Sequence, residues 1–336
     1  MPDPHFELIA REMSDGEVVP FLGAGVNLCG RPPGFVWDDK QSGSLPDGSE
    51  LAGFLARLGM YSSNVREVCC PHCNQTFESR EKITDLVRMA QHVVLALGSI
   101  KLHTELRKLF LRQFTPTPVH DFLANLNPGL RKKKYLPEFQ LVVTTNYDDL
   151  LEKAFENAGQ PYDVVKYAAR RREDDPDMAR GKFWHRPWKG VERPITGANK
   201  YLDIGAGGVP VILKIHGDVS RNEEGGDSFV IAEDDYIDYL KHSDLSKLLP
   251  AKLITKMRKS HFLFMGYGLR DWNLRVFLKR IWSDAPGSAR SWAVQRNPDD
   301  FDKKYWARRN VDILDWDLAK YIGELTAAID QLPSQG

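Results

Sequence analysis

Short apolar runs alternate with helical patterns along most of the chain. The apolar runs are rich in β-branched and aromatic residues, and several are apolar on both faces, which is typical of strands in a covered parallel sheet. The predicted strands are EVVPFL (17–22), FQLVVTT (139–145), VPVILKI (209–215), SFVIA (228–232), HFLFMG (261–266), SWAVQ (291–295) and VDIL (311–314). Helical patterns cover 5–14, 147–158, 234–249, 271–283 and 316–331. The alternation predicts an α/β fold.

One long segment departs from this alternation. Residues 78–126 show helical periodicity alone. We therefore predict a mainly helical insertion at 31–136, inside a Rossmann-like core formed by 1–30 and 137–336. That core is predicted to be a doubly wound, mostly parallel sheet, and the whole chain a single compact unit.

Composition narrows the classes of function. The 336 residues are 42% hydrophobic, which suffices for a large core, and the formal net charge is zero. A dedicated nucleic-acid binder carries a basic surface, so direct nucleic-acid binding is not expected. No apolar stretch is long enough to span a membrane, and the N-terminus lacks the pattern of a signal peptide. We expect a soluble, cytoplasmic protein without a membrane segment.

Four loops after predicted strands carry the candidate chemistry. Ligands of open α/β sheets bind at the carboxyl ends of the strands. The loops are FLGAGVN (21–27), TTNYD (144–148), HGD (216–218) and GYGLRD (266–271). Their order along the chain places them along one edge of one sheet.

Each loop alone has a structural explanation as well as a functional one. The glycines of the first and last loops suit a tight turn or the close approach of backbone to a phosphate. Asp148 suits the N-terminus of a helix or the orientation of a polar neighbour. His216 suits a structural contact or a general base. The combination of the four loops favours the functional explanation.

The motifs GAG, TTNYD, HGD and GYGLRD, in this order, resemble the sirtuin-like domains of bacterial antiviral defence proteins. The resemblance covers about residues 17–275 and includes TPVHDFLANL (117–126) before the TTNYD strand. It implies NAD+ as the substrate and hydrolysis of its nicotinamide–ribose bond as the activity, which would make the chain a toxic effector that depletes NAD+. The region between the first two motifs is longer than the family pattern and contains a cysteine cluster.

The resemblance also implies roles for single residues. Asn146 would orient water or the ribose hydroxyls, His216 would act as general base, and Asp148 would orient a neighbour or cap its helix. The predicted cofactor-binding residues are Gly23, Ala24, Gly25, Asn27, Thr144, Thr145, Gly217, Gly266, Tyr267, Gly268 and Asp271.

Two other activities remain open at the level of the sequence. Sirtuins that remove acyl groups from lysine carry two C-x-x-C pairs after the HG motif, whereas no cysteine follows Cys73 here. NAD+-dependent deacylation or ADP-ribosyl transfer is therefore the less favoured enzymatic alternative, and a non-catalytic module that binds NAD+ or ADP-ribose is the other. The resemblance further implies a homo-oligomer and a regulatory partner, such as a HerA-type ATPase or another subunit of a defence system.

Two further segments carry candidate chemistry. Cys70 and Cys73 resemble half of a zinc site, although tetrahedral zinc needs four ligands, and a surface loop with reduced thiols is the alternative. Residues 167–193 combine arginines with Phe183, Trp184 and Trp188. We interpret them as a long connection that acts as a mobile lid or a docking loop, with a plain solvated loop or a nucleic-acid contact as alternatives.

Overall fold

The computed structural model describes residues 3–61, 65–69, 76–80, 83–169, 181–219, 227–242, 248–269, 272–282 and 289–335. The helices are α1 (Pro4–Ser14), α2 (Gly48–Leu58), α3 (Leu86–Leu97), α4 (Ser99–Phe110), α5 (Pro118–Lys132), α6 (Leu150–Asn157), α7 (Glu233–His242), α8 (Ala251–Lys259), α9 (Trp272–Trp282), α10 (Asp300–Ala307) and α11 (Leu318–Asp330). None of these helices is long and apolar enough to cross a membrane.

The strands of the described residues form one large sheet and two small ones. They are β1 (Val18–Leu22), β2 (Val65–Cys69), β3 (Thr76–Arg80), β4 (Leu141–Thr144), β5 (Asp163–Ala168), β6 (Lys182–Arg186), β7 (Arg193–Pro194), β8 (Val211–Lys214), β9 (Gly217–Asp218), β10 (Ser228–Phe229), β11 (His261–Met265), β12 (Ser291–Gln295) and β13 (Val311–Asp315). The large sheet has the order β13-β12-β11-β1-β4-β8-β5-β6-β7. It is parallel except where β6 pairs with β5 and β7. The predicted α/β, mostly parallel fold is confirmed.

The register of the sheet brings the strand ends to one level. Leu22 at the end of β1 is paired with Met265 of β11 on one side and with Thr144 of β4 on the other. Thr144 is in turn paired with Lys214 of β8. The loops that follow these four strands therefore leave the sheet side by side. β1 lies at the point where the strand order reverses, which is where open α/β sheets bind ligands.

Helices cover both faces of the sheet, as a doubly wound fold requires. Alternate residues of β1 point to opposite faces. Val19 and Phe21 belong to a core shared with α7, α8 and α9, whereas Val18 and Leu22 belong to a core shared with α1, α5, α6 and α11. Both cores are closed to solvent, which explains why the central strands are apolar on both faces.

The helices α2, α3 and α4 form a third core of their own. Leu51, Val93 and Leu106 are among its buried members, and Tyr147 and Phe229 connect it to the sheet. The helix α5 packs with α6 and α11 in the core below the sheet instead. The boundaries of the insertion at residues 31 and 136 stay a prediction.

The segment TPVH begins α5 with a reciprocal cap. The ring Nδ1 of His120 accepts a hydrogen bond of 3.1 Å from the backbone N–H of Thr117 and lies 2.8 Å from its hydroxyl oxygen. Burial lowers the pKa of His120 to about 4. The imidazole is therefore neutral near pH 7, as an acceptor must be.

Several elements differ from the sequence prediction. The run 228–232 contributes only the two-residue β10, which pairs with β9 outside the large sheet. The pattern did not predict β5, β6, α8 or α10. In β5 the reason is visible, because Lys166 lies in the middle of the strand and is only 5% exposed. A lysine at that position hides the apolar pattern on which strand prediction depends.

Candidate functional site

A cavity of about 950 Å³ lies at the carboxyl ends of the central strands. It is lined by all four loops that the sequence singles out. The lining residues from these loops are Ala24, Gly25, Asn27, Thr145, Asn146, Tyr147, Asp148, His216, Gly266, Tyr267 and Gly268. A concave site with a few convergent polar groups at this position is the usual form of a ligand site in an α/β sheet.

Asn146 is held at the end of β4 by its neighbours on β1 and β4. Its side-chain Nδ2 lies 3.4 Å from the carbonyl oxygen of Gly23, and its backbone N–H donates to the Thr144 hydroxyl at 3.0 Å. Thr144 in turn donates to the carbonyl of Leu22 at 3.3 Å. Thr144 is buried and is not among the lining residues. Its hydroxyl therefore fixes the Asn146 backbone.

His216 follows β8 and is 5% exposed. Its ring lies edge-on to Tyr236 and Tyr239, with centroids 5.3 and 5.9 Å away. The Tyr236 hydroxyl lies 3.5 Å from Nδ1, at the long limit of a hydrogen bond. Both Tyr236 and His216 line the cavity. The two tyrosines of α7 therefore restrict the orientation of the imidazole.

Asp148 lines the cavity and lies two residues before the first residue of α6. Its Oδ1 accepts a hydrogen bond of 3.1 Å from the backbone N–H of Leu150. Burial raises the pKa of Asp148 to about 6, an effect that the nearby Lys214 ammonium opposes. The carboxyl therefore accepts a hydrogen bond from the first residue of α6, has an unusually high proton affinity, and follows Asn146 by two residues.

The GAG and GYG loops are locked together through their backbones. The N–H of Gly25 donates to the carbonyl of Gly266 at 2.8 Å. A Cβ at Gly25 would lie 2.6 Å from that oxygen, and Gly266 has a φ of +62°. The GAG turn is followed by a short 3-10 helix, Ala24–Leu28, and the Gly25 amide is occupied by its bond to Gly266.

Gly217 is likewise a structural glycine. Its φ is +85°, and a Cβ there would lie 2.1 Å from the carbonyl oxygen of Ser228. This close approach is the pairing of β9 with β10. Gly217 and Gly23 are not among the lining residues of the cavity.

Charged side chains are buried beneath the cavity. The ammonium of Lys214 donates to the backbone carbonyl of Asp148 at 2.6 Å and to Glu152 Oε1 at 2.9 Å. Burial lowers the pKa of Lys214, but Glu152, Asp218 and Asp148 outweigh it, so the pKa lies above its usual value. The neighbouring Lys166 pairs with Asp218 at 3.0 Å and with Glu192 at 2.9 Å. Sequence reasoning missed this network, although a lysine inside the apolar run VPVILKI is a visible signal.

Residues of the helical segment form the roof of the cavity. Asp47, Gly48 and Ser49 at the start of α2, with Asp85 and Leu86 at the start of α3, line it. The roof is tied to α7 through Gln91, which donates to Asp234 Oδ2 at 2.9 Å and accepts from its backbone N–H at 3.2 Å. Sequence reasoning did not identify these roof residues, because their proximity to the strand ends is a tertiary contact.

Three predicted site residues lie outside the described residues. They are Asp271 of the GYGLRD loop and the two cysteines of the suggested zinc site, Cys70 and Cys73. Part of the connection 167–193 also lies outside them. Its described ends form the antiparallel pair β5–β6, and Phe183 and Trp184 are 1% and 2% exposed. These two aromatic side chains are core residues and are not available to stack on bases or on adenine.

The site lies at the reversal point of a parallel sheet and between two interlocked glycine loops, which is where open α/β sheets bind their ligands. A family model described as a SIR2-like domain matches residues 140–314. The chain therefore belongs to the SIR2-like domain family, and the resemblance seen in the motifs is confirmed.

The chain is also similar to curated proteins of bacterial origin. It is 24% identical over 302 residues to Defense-associated sirtuin 2 of Bacillus subtilis, which covers 89% of this chain and 21% of that protein. It is 29% identical over 232 residues to NAD(+) hydrolase ThsA of Acinetobacter baumannii, which covers 68% of this chain and 38% of that protein. A second NAD(+) hydrolase ThsA, from Bacillus cereus, is 29% identical over 185 residues, 53% of this chain and 31% of that protein. The chain thus matches less than half the length of each of these relatives.

Proposed function

We propose that this chain hydrolyses NAD+ to nicotinamide and ADP-ribose. The observation that carries the proposal is that Asn146 and His216, from two neighbouring strands, line one cavity together with the GAG and GYG loops. The relatives named NAD(+) hydrolase ThsA support the choice of substrate. The name Defense-associated sirtuin 2 supports a role as an NAD+-depleting effector in antiphage defence.

Hydrolysis of the nicotinamide–ribose bond requires that the protein hold the ribose in place and activate a water molecule. The C–N bond between ribose and nicotinamide breaks with its electron pair going to the pyridinium nitrogen, so nicotinamide leaves neutral and needs no acid. The ribose passes through an oxocarbenium-like state, as in glycoside hydrolysis. Water adds to the anomeric carbon and gives up one proton. The protein must orient the ribose, place the water and accept that proton.

The residues of the cavity fit these tasks. His216 is the proposed general base: with Nδ1–H directed at the Tyr236 hydroxyl, Nε2 carries the lone pair that takes the proton from water. Asn146 is proposed to orient the water or the ribose hydroxyls through its amide. Asp148 is proposed to hold the backbone of this loop through its hydrogen bond from the Leu150 N–H. Asn27 Oδ1 is buried, has no partner among the described residues and lines the cavity, so it is a candidate acceptor for a ribose hydroxyl.

The test is nicotinamide release from NAD+ by the wild type and by His216→Ala and Asn146→Ala. Loss of a general base costs about a hundred- to ten-thousand-fold in rate, and we expect both variants to fall in that range. His261→Ala is the matched control, because His261 lies at the amino end of β11, at the other end of the strands from the four loops, and is not among the residues that line the cavity. An undiminished rate in His216→Ala would show that the catalytic assignment is wrong.

The same assay separates the alternatives. Deacylation would make nicotinamide release depend on an acetylated peptide, and ADP-ribosyl transfer would label a protein acceptor. A non-catalytic module would bind NAD+ or ADP-ribose without turnover. The assay is run over a range of protein concentrations and with candidate partners, because the resemblance implies that activity is restrained.

Assembly and location are part of the proposal. We propose a homo-oligomer in the cytoplasm that is regulated by a partner such as a HerA-type ATPase or another defence-system subunit. Light scattering coupled to gel filtration tests the oligomer, and co-purification tests the partner. The zinc site at Cys70 and Cys73 stays a prediction, which metal analysis of untagged protein would test.

A further inference from the structure

Lys214 is the most deeply buried charged residue near the cavity. It is 1% exposed, at the last position of β8, two residues before His216. A buried ion pair contributes little net stability, because the cost of removing both charges from water offsets their attraction. An apolar side chain would complete this strand more simply. The lysine therefore calls for an explanation other than stability.

The contacts of Lys214 supply that explanation. Its Nζ reaches across to the segment after β4, where it donates to the carbonyl of Asp148 and to Glu152 of α6. Asp148 follows Asn146 by two residues, and His216 follows Lys214 by two residues. One ammonium group thus connects the strand end that carries His216 to the loop that carries Asn146.

We infer that Lys214 is a positioning residue, which fixes the Asn146–Asp148 loop relative to His216 through its hydrogen bond to the Asp148 carbonyl. This inference rests on the proposed NAD+ hydrolysis. Lys214 is not among the residues that line the cavity. Its effect is on geometry, and misplacement of reacting groups by about 1 Å costs on the order of a hundredfold in rate.

The adjacent strand provides a matched control. Lys166 of β5 lies directly opposite Lys214 in the sheet register. It is also buried and paired with two carboxylates, Asp218 and Glu192. Among the described residues its ion pairs are with Asp218 and Glu192, and neither belongs to the Asn146–Asp148 loop. Replacing either lysine leaves a buried carboxylate without its cation. Lys166 reaches the HGD loop only through the side chain of Asp218, whereas Lys214 also donates to a backbone carbonyl of the Asn146–Asp148 loop.

The first experiment compares Lys214→Met with Lys166→Met in steady-state NAD+ hydrolysis. We expect kcat of Lys214→Met to fall by about 10- to 100-fold with KM changed by less than about threefold, because the cavity that binds the substrate is intact. Lys166→Met should keep kcat within about threefold of the wild type. A kcat for Lys214→Met equal to that of Lys166→Met would overturn the inference.

The second experiment separates positioning from stability. In the double variant Lys214→Met with Glu152→Met, an apolar pair replaces the buried ion pair, so the orphaned carboxylate is removed and thermal stability should recover. The Asp148 carbonyl still lacks its donor, so kcat should stay low. If kcat recovers together with stability, or if neither variant folds, Lys214 acts through the fold alone and the inference is wrong.

The result that would contradict NAD+ hydrolysis differs from the result that would contradict the role of Lys214. A wild type that releases no nicotinamide at any concentration or with any partner would contradict NAD+ hydrolysis itself. A wild type that turns over NAD+ while Lys214→Met does so equally well would contradict only the role of Lys214.

Discussion

The contact between the GAG and GYG loops leads to a specific prediction for Gly25→Ala. The added Cβ would lie 2.6 Å from the Gly266 carbonyl oxygen and 2.9 Å from its Cα, whereas ordinary contact begins near 3.4 Å. Both neighbours are backbone atoms, so no side chain can rotate away. The two loops must therefore separate by about 0.8 Å, and the hydrogen bond of 2.8 Å from the Gly25 amide is weakened or lost.

The magnitude follows from these two effects. Overpacking of a closed contact costs about 1–3 kcal/mol, and the lost hydrogen bond about 1 kcal/mol. We expect the free energy of unfolding to fall by about 2–4 kcal/mol. At about 2 °C per kcal/mol for a chain of this size, Tm should fall by about 4–8 °C. NAD+ turnover should fall as well, because both loops line the cavity.

Two other glycines serve as controls in the same thermal melts. Gly129 in α5 and Gly268 in the GYG loop have no atom within 4 Å of an added Cβ. Gly129→Ala should leave Tm unchanged or raise it slightly, since alanine favours helix. Gly268→Ala should leave Tm unchanged, and any loss of turnover would then report on ligand approach alone. A Tm for Gly25→Ala within about 1 °C of the wild type would show that the close contact between the Gly25 and Gly266 backbones is not present.

Three further predictions concern stability. Because burial raises the pKa of Asp148 to about 6 from an ordinary value of 3.8, the folded state binds its proton more tightly than the unfolded chain, and stability falls as pH rises through this interval. Asp148→Asn should remove that fall and raise the free energy of unfolding at pH 8 by about 1–3 kcal/mol in urea titrations, whereas an unchanged pH dependence would contradict it. Trp184→Ala should cost about 3–5 kcal/mol by denaturant unfolding, and a cost below about 1 kcal/mol would contradict its buried position. Tyr147→Phe removes the donor of a 2.8 Å bond to the Val230 carbonyl and should cost about 1 kcal/mol, with no change expected if water replaces the hydroxyl.

The sequence predicted β1, β4, β8 and β11 because they lie in mainly apolar runs that end in polar motifs. The position of His216 and Asn146 at one edge followed from parallel topology alone. The strand β5 could not be predicted in the same way, since the charge of Lys166 is neutralised only by residues distant in sequence.

The contacts of individual motif residues were harder to predict than their position at the carboxyl ends of the strands. Thr144 and Gly217 belong to the motifs, yet their contacts are with backbone rather than with the cavity. The roof of the cavity could not be predicted either. In the sequence Asp47 and Asp85 are ordinary helix caps, and they reach the cavity only because α2 and α3 pack above it. Local sequence patterns predict helices and strands. Which residues line the cavity depends on how those helices and strands pack against one another.

The two edges of the large sheet limit how copies of this chain can associate. One edge, β7, has two residues and includes Pro194, which lacks an N–H to donate. The other, β13, carries Asp312 and Asp315, and Asp312 is paired with Arg290. Short, proline-bearing or charged edges resist the addition of a strand from another molecule. If copies assemble, their contacts should therefore be sought on helical surfaces rather than in a sheet continued from one subunit to the next.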